Sequence, residues 1–173
     1  AEGYTGAGFR EYLCLGNSSG VPVKVKVAYL VKDGTPIEKT YTVPALSRFT
    51  ADVNAEAGAD KEVSIKCSAA APFIAERPMY FDYQGGGGSW TGGSDAVGAP
   101  LPSTSWYFAE GYTGPGFDEW VCVLNPWGSE AHLTFNFQTQ EDGLVVPSGT
   151  YTVPAHSRGT FKANDLLEGK SYQ

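Results

Sequence analysis

The sequence predicts an all-β, antiparallel fold, and three observations carry that expectation. Val23 to Val31 (VKVKVAYLV) alternates with a period of two, so Val23, Val25, Val27, Tyr29 and Val31 share one face while Lys24 and Lys26 point to water. Similar short runs recur along the chain between Gly, Pro, Asn and Asp turns. The 173 residues also include 22 Gly, 11 Pro and a single Met, with no long stretch of Leu, Ala, Glu and Lys to build a helix. Roughly six or seven short strands per 100 residues read as an immunoglobulin-like β-sandwich. A jelly roll or small barrel is the alternative. An apolar share of 42% and an aromatic share of 13% can fill a core and argue against disorder.

Phe9 to Leu15 is the first strand, with Gly6 and Gly8 before it and a turn from Asn17 to Gly20 after it. Val23 to Val31 is the second, and Asp33-Gly34 turns the chain. Thr40 to Val43 and Arg48 to Val53 follow, broken at Pro44, which has no N–H to give a central ladder. Ala55 to Asp60 suits a helical turn. Glu62 to Ser68 alternates again and buries Val63, Ile65 and Cys67, and Pro72 to Tyr83 reads as a strand bent around Pro78. Gln84 to Ser105 is rich in Gly, Ser and Pro and reads as a loop. Trp106-Tyr107-Phe108 then begins an edge strand, and Leu133, Phe135 and Phe137 repeat the inward face of Val25, Val27 and Tyr29.

That second series copies the first. Ala1 to Asn17 (AEGYTGAGFREYLCLGN) returns about 108 residues later as Ala109 to Asn125 (AEGYTGPGFDEWVCVLN), and Tyr41 to Arg48 (YTVPALSR) returns as Tyr151 to Arg158 (YTVPAHSR). A recurrence of this length sets the unit of architecture. The expected organisation is a first β-sandwich unit over residues 1–84 without its leading strand, a loop or linker over 85–105, and a truncated second unit over 106–173 without its last two strands. The strands at 62–83 complete either the first or the second unit, and the local pairing of sequential strands favours the first. Either arrangement leaves a sheet edge open to self-association.

Charge narrows the partners. A net charge of −7 offers no basic stripe for phosphates, so no nucleic-acid partner is expected. No apolar run approaches the ~20 residues that span a bilayer, so no membrane insertion is expected.

Cys14 and Cys122 hold the same place in the two copies, and Cys67 lies on a later strand. Two readings stand: a Cys14–Cys67 disulfide between sheets, like that of immunoglobulin domains, or three buried reduced thiols. A Glu and an Arg also recur, as Glu2 with Glu110 and Arg48 with Arg158, and Glu76-Arg77 lies within an apolar strand. These six residues are candidates for partly buried ion pairs that fix strand register.

Candidate chemistry is sparse. His156 adjoins Ser157, but the first copy has Leu46 in place of the histidine, and neighbours on a strand face opposite ways. His132 matches Lys24 and faces solvent. Two isolated histidines without Cys or carboxylate spacing make no zinc motif. The glycines at 3, 6, 8 and 85–93 lack the following helix and Lys-Ser/Thr of a phosphate loop. Asp82, Asp95, Asp118 and Glu119 are acidic enough for calcium but lack EF-hand spacing. An acid pair for glycoside hydrolysis, such as Glu76 with Glu110, would need one shared cleft. A Lys–Asn crosslink would need a core lysine, whereas Lys24 and Lys26 face outward. The chain is therefore expected to be non-enzymatic, with no cofactor and no metal. Trp90 and Trp127 are the binding candidates, since loop indoles can stack on sugars or on a protein. Packing between units is the alternative for both.

The stretches WYFAEGYTGPGF, EW-x-C-x-LNP, YTVPA-x-SR, AERPMYFDY and GGSDAVGA together resemble a tandem repeat found near the C-terminal ends of large bacterial extracellular and cell-wall-associated proteins. The resemblance covers nearly the whole chain. It implies a secreted or cell-surface location and a β-sandwich module serving as spacer, stalk or adhesive unit, and it assigns no catalytic residue. A partner would be another protein or a cell-surface glycan. The alternative function is a carbohydrate-binding module using Trp90 or Trp127.

Overall fold

The computed structural model describes residues 1–85 and 88–172. They divide into two compact units, Ala1–Leu101 and the residues from Pro102 onward. Both are built from antiparallel β-strands, as the alternation predicts, and the second is the sparser in them.

The first unit contains β1 (Phe9–Asn17), β2 (Val23–Val31), β3 (Ile37–Val43), β4 (Ser47–Asp52), a short helix α1 (Val53–Ala57), β5 (Val63–Ala69), β6 (Ile74–Glu76), β7 (Met79–Gly85) and β8 (Gly88–Ser94). One sheet runs β3-β2-β5. The other runs β4-β1-β7-β8, with β6 lying on the same edge of β1 as β7. The break between β6 and β7 falls at Arg77-Pro78, where the Tyr12 N–H donates to the Pro78 carbonyl at 2.9 Å. The bend expected at Pro78 is therefore present. Leu13 and Leu15 from β1, Val25, Val27 and Tyr29 from β2, Val43, Ala51, Val53 and Val63 form one buried cluster fed by both sheets. The side-chain period of two puts every member of the β2 set on that face.

Pairing of β5 with β2, and of β6 and β7 with β1, places residues 62–83 in the first unit. Two local expectations are corrected. The helix begins at Val53, because Asp52 caps it by accepting the Ala55 N–H. Residues Gly88–Ser94, read as loop from their glycines, form β8 and pair with β7 from Met79 to Gly85. Backbone hydrogen bonds hold this hairpin where side-chain patterning is absent, and the Arg77 N–H adds a bond to the Ala96 carbonyl beyond it.

The second unit holds β9 (Trp120–Asn125), β10 (Ala131–Leu133), β11 (Phe137–Thr139), β12 (Gly143–Val145), β13 (Tyr151–Val153), β14 (Ser157–Lys162) and α2 (Ala163–Leu166). They form three two-stranded ladders, β10-β13, β11-β12 and β14-β9. Leu133, Phe135 and Phe137 alternate with exposed His132, Thr134 and Asn136 as expected, but they are half-buried rather than sealed. Phe135 contacts Phe137, Tyr151 and Phe161, with ring centroids 6.4, 5.3 and 5.1 Å away. Trp106-Tyr107-Phe108 is exposed and lies in no strand, contrary to the expected edge strand. In the first unit the stretch that AEGY occupies is tied to β5, through Val63 N–H to Gly3 O and a Tyr4–Glu62 bridge. Among the described residues the second unit has no such strand.

Candidate functional site

The recurring residues converge on a backbone scaffold. The Asn17 amide reaches the carbonyls of Val21, Val43 and Pro44 at 2.8, 3.2 and 2.9 Å, and its oxygen accepts the Ser19 N–H. The Asn125 amide reaches Ser129, Val153 and Pro154 at 2.7, 3.0 and 3.0 Å, and its oxygen accepts the Trp127 N–H. Each buried asparagine thus ties a strand end to the YTVP stretch, supplying partners to carbonyls shut away from water. A second clasp recurs beside the helices. Asn54 accepts the Glu11 N–H and donates to the carbonyls of Thr5 and Phe9. Asn164 accepts the Glu119 N–H and donates to those of Thr113 and Phe117. Glu11 and Glu119 sit against Gly3 and Gly111, where a side chain would strike their carboxyl oxygens. Burial raises the Glu119 pKa, and the Tyr112 backbone N–H bound to it works the other way. From sequence, Gly3 and Glu119 stand out for other roles and none of these residues as a clasp, although their recurrence in both copies is a usable signal.

Cys14, Cys67 and Cys122 form no disulfide. Strand alternation is the reason: Leu13 and Leu15 point inward, so Cys14 lies on the opposite face of β1, 3.7 Å from the Thr50 hydroxyl, whereas Cys67 packs on the core side of β5. Burial pushes the Cys67 thiol up to about 11. Cys122 accepts a hydrogen bond from Arg158 at 3.1 Å.

Of the ion-pair candidates, Glu2 and Arg77 meet at 2.9 Å, and Arg77 also reaches Ser94. This links the opening AEGY stretch to β8. Arg48 and Arg158 differ: Arg48 is exposed, while Arg158 is buried and bonds Thr160 as well as Cys122. Glu76 lies on β6 opposite Cys14, and Glu110 is exposed. The repeated Glu and Arg therefore do not pair with each other as anticipated. His156 has φ 51° at a turn, like Leu46 at 49°, and both donate their N–H to the turn after the asparagine clasp. Ser157 is buried on β14. Among the described residues no three His, Cys, Asp or Glu side chains gather as a metal site, and no helix is long and apolar enough to cross a membrane.

Trp127 stands exposed in the turn after β9. Trp90 lies on β8 rather than on a loop, directly opposite Tyr83 of β7. Directly paired residues share a face. That face also carries Phe81 and, across on β1, Phe9. Phe9 stacks on Tyr83 with centroids 5.1 Å apart and rings inclined by 28°, and Tyr4 meets Phe9 edge-on at 5.0 Å. Phe81 leans over Gly92, where even a methyl group would meet its ring. An open groove of about 550 Å³ runs beside the Tyr4, Phe9 and Tyr83 rings, bordered also by Ala7, Gly8, Asp82 and Gln84, and Trp90 continues the row of rings beyond it.

No family model matches the chain, and no curated protein matches it. Among solved structures, the crystal structure of Thermotoga maritima 1070 is similar in fold. The match has a TM-score of 0.50 at 15% identity, covering 57% of this chain and 87% of that one. At that identity the likeness concerns the fold alone.

Proposed function

We propose that the chain is a non-catalytic structural or adhesive repeat module of a bacterial extracellular or cell-surface protein, built as immunoglobulin-like β-sandwich units. The observation that carries this reading is where the recurring residues go. Asn17 with Asn125, Asn54 with Asn164, and Thr5 with Thr113 all serve backbone carbonyls and N–H groups of their own unit. What recurs is the means of building a sheet, as a spacer or stalk requires. The sequence resemblance to tandem surface repeats supports the location. An antibody raised against the module should label intact cells of its source without permeabilisation. Labelling only after lysis would sink the surface reading.

Carbohydrate binding is the second reading, favoured by the exposure of Trp90 (41%) and Trp127 (61%). Large rings left in water at two distinct positions suit stacking on sugar faces.

A further inference from the structure

We propose that the aromatic groove at the β7–β8 end of the first unit binds a neutral polysaccharide chain. The proposal rests on the carbohydrate-binding reading and gives it a site, chiefly away from Trp127.

Trp90, Tyr83 and Phe9 follow one another across β8, β7 and β1 on a single sheet face, with Tyr4 closing the row. Farther along the same face Met79 is 5% exposed, whereas Tyr83 is 37% and Trp90 41% exposed. The row thus leaves the core and enters solvent while keeping its rings. A pyranose ring offers an apolar C–H face edged by hydroxyls. Flat aromatic rings take the face, and nearby polar groups take the hydroxyls. Asp82 and Gln84 border the groove, but alternation with Tyr83 turns their side chains to the opposite face, where the Thr91 hydroxyl donates to Asp82. The glycines of β8 keep the strand low beneath its neighbours: Phe81 lies over Gly92, and the Trp90 indole runs alongside Gly88.

The shape favours a chain over an enclosed small molecule, because the groove is open along its length. Charge favours a neutral ligand. The chain carries a net charge of −7, which disfavours a polyanion.

The test is calorimetric titration of the full chain with cellohexaose, chitohexaose and mannohexaose, and with an oligoalginate as the anionic comparison. At least one neutral hexasaccharide should bind, and the oligoalginate should not. Tyr83→Ala and Trp90→Ala should each weaken binding about tenfold or more, the loss expected of one stacking ring. Val146→Ala, at an exposed position of the second unit outside both candidate sites, should leave it unchanged, and Trp127→Ala is titrated beside it as the rival site. Because Tyr83 and Trp90 are partly exposed, thermal midpoints of both variants should stay near that of the wild type, and Tyr83→Phe should restore binding. Loss of binding only in Trp127→Ala would overturn the groove while sparing the carbohydrate reading. No binding of any neutral sugar by the wild type would overturn both, and preference for the oligoalginate would overturn the neutral-ligand assignment.

Discussion

Leu15, Val25, Val27 and Tyr29 of the first unit are sealed from water, while Val123, Leu133, Phe135 and Phe137, at the same places in the second, stay half-buried. Yet both units carry the same asparagine clasps, the same positive-φ turn at Leu46 and His156, and the same edge-on ring pair, Tyr4–Phe9 and Tyr112–Phe117, at 5.0 Å. The difference separates two layers of folding. Clasps and turns join segments that both copies contain, across 49 residues in the first for Asn54–Thr5 and 51 in the second for Asn164–Thr113, and they form in both. A closed core needs strands from farther along the chain, here β5 against β2 and β6 and β7 against β1. Polar chemistry common to both copies sets the frame, and the apolar strands at 62–83 seal it in the first.

The sharpest way to break this comparison is to cut the same core position in each unit. Leu15→Ala should cost about 4 kcal/mol in urea unfolding of the first unit, because a sealed leucine leaves a cavity. Val123→Ala should cost about 1 kcal/mol in the second. Equal costs would mean the second core is as closed as the first.

Clasp removal should behave in the opposite way. Asn17→Ala and Asn125→Ala should each destabilise their own unit by about 2–3 kcal/mol, since each strands buried carbonyls. Unit-resolved hydrogen exchange would report both losses. A cost confined to Asn17 would show that the second clasp contributes little.

Glycines give a finer contrast. Gly8 and Gly116 have φ of 81° and 82°, so alanine at either is strained by about 1 kcal/mol. At Gly8 the methyl would also strike the Asp82 carbonyl of β7, while at Gly116 it meets open space. Melting of Gly8→Ala should therefore fall clearly below that of Gly116→Ala.

Thiol chemistry tests the corrected cysteine reading. Without reductant, the denatured chain should take three alkyl groups by mass spectrometry. In the native chain at pH 8, Cys67 should react slowly, because its thiol titrates at about 11. Two linked cysteines would reinstate a disulfide.

The smallest expected effect is the pH response of Glu119. Its folded pKa is raised by burial, so its ionised form opposes folding at neutral pH, and that penalty fades as pH falls through the folded pKa. Glu119→Gln should melt slightly above wild type at pH 7, with the gap closing by pH 4. A gap that widens in acid would reverse the assignment.

Much of the frame was legible in the residues. VKVKVAYLV announced β2 and its buried face, and Pro78 marked the bend between β6 and β7. Other features were hidden for physical reasons. β8 is built on Gly88, Gly92 and Gly93, whose missing side chains erase any alternation, while its backbone ladder with β7 leaves no mark on the sequence. Trp90 consequently looked like a loop residue. The disulfide expectation followed the Cys14–Cys67 spacing, although Leu13 and Leu15 already fixed Cys14 to the outer face. The clasps at Asn17 and Asn54 were visible only as recurring polar residues, because the carbonyls they serve lie far along the chain.

Hydrogen exchange of the intact chain, read peptide by peptide, tests the central claim most directly. The account expects slow exchange across Val23–Val31 and much faster exchange across residues 131–139. The turn amides of Leu46 and His156, bonded to Ser19 and Trp127, should be protected alike. Equal protection of the two strand regions would contradict the division between a frame common to both units and a core closed only in the first.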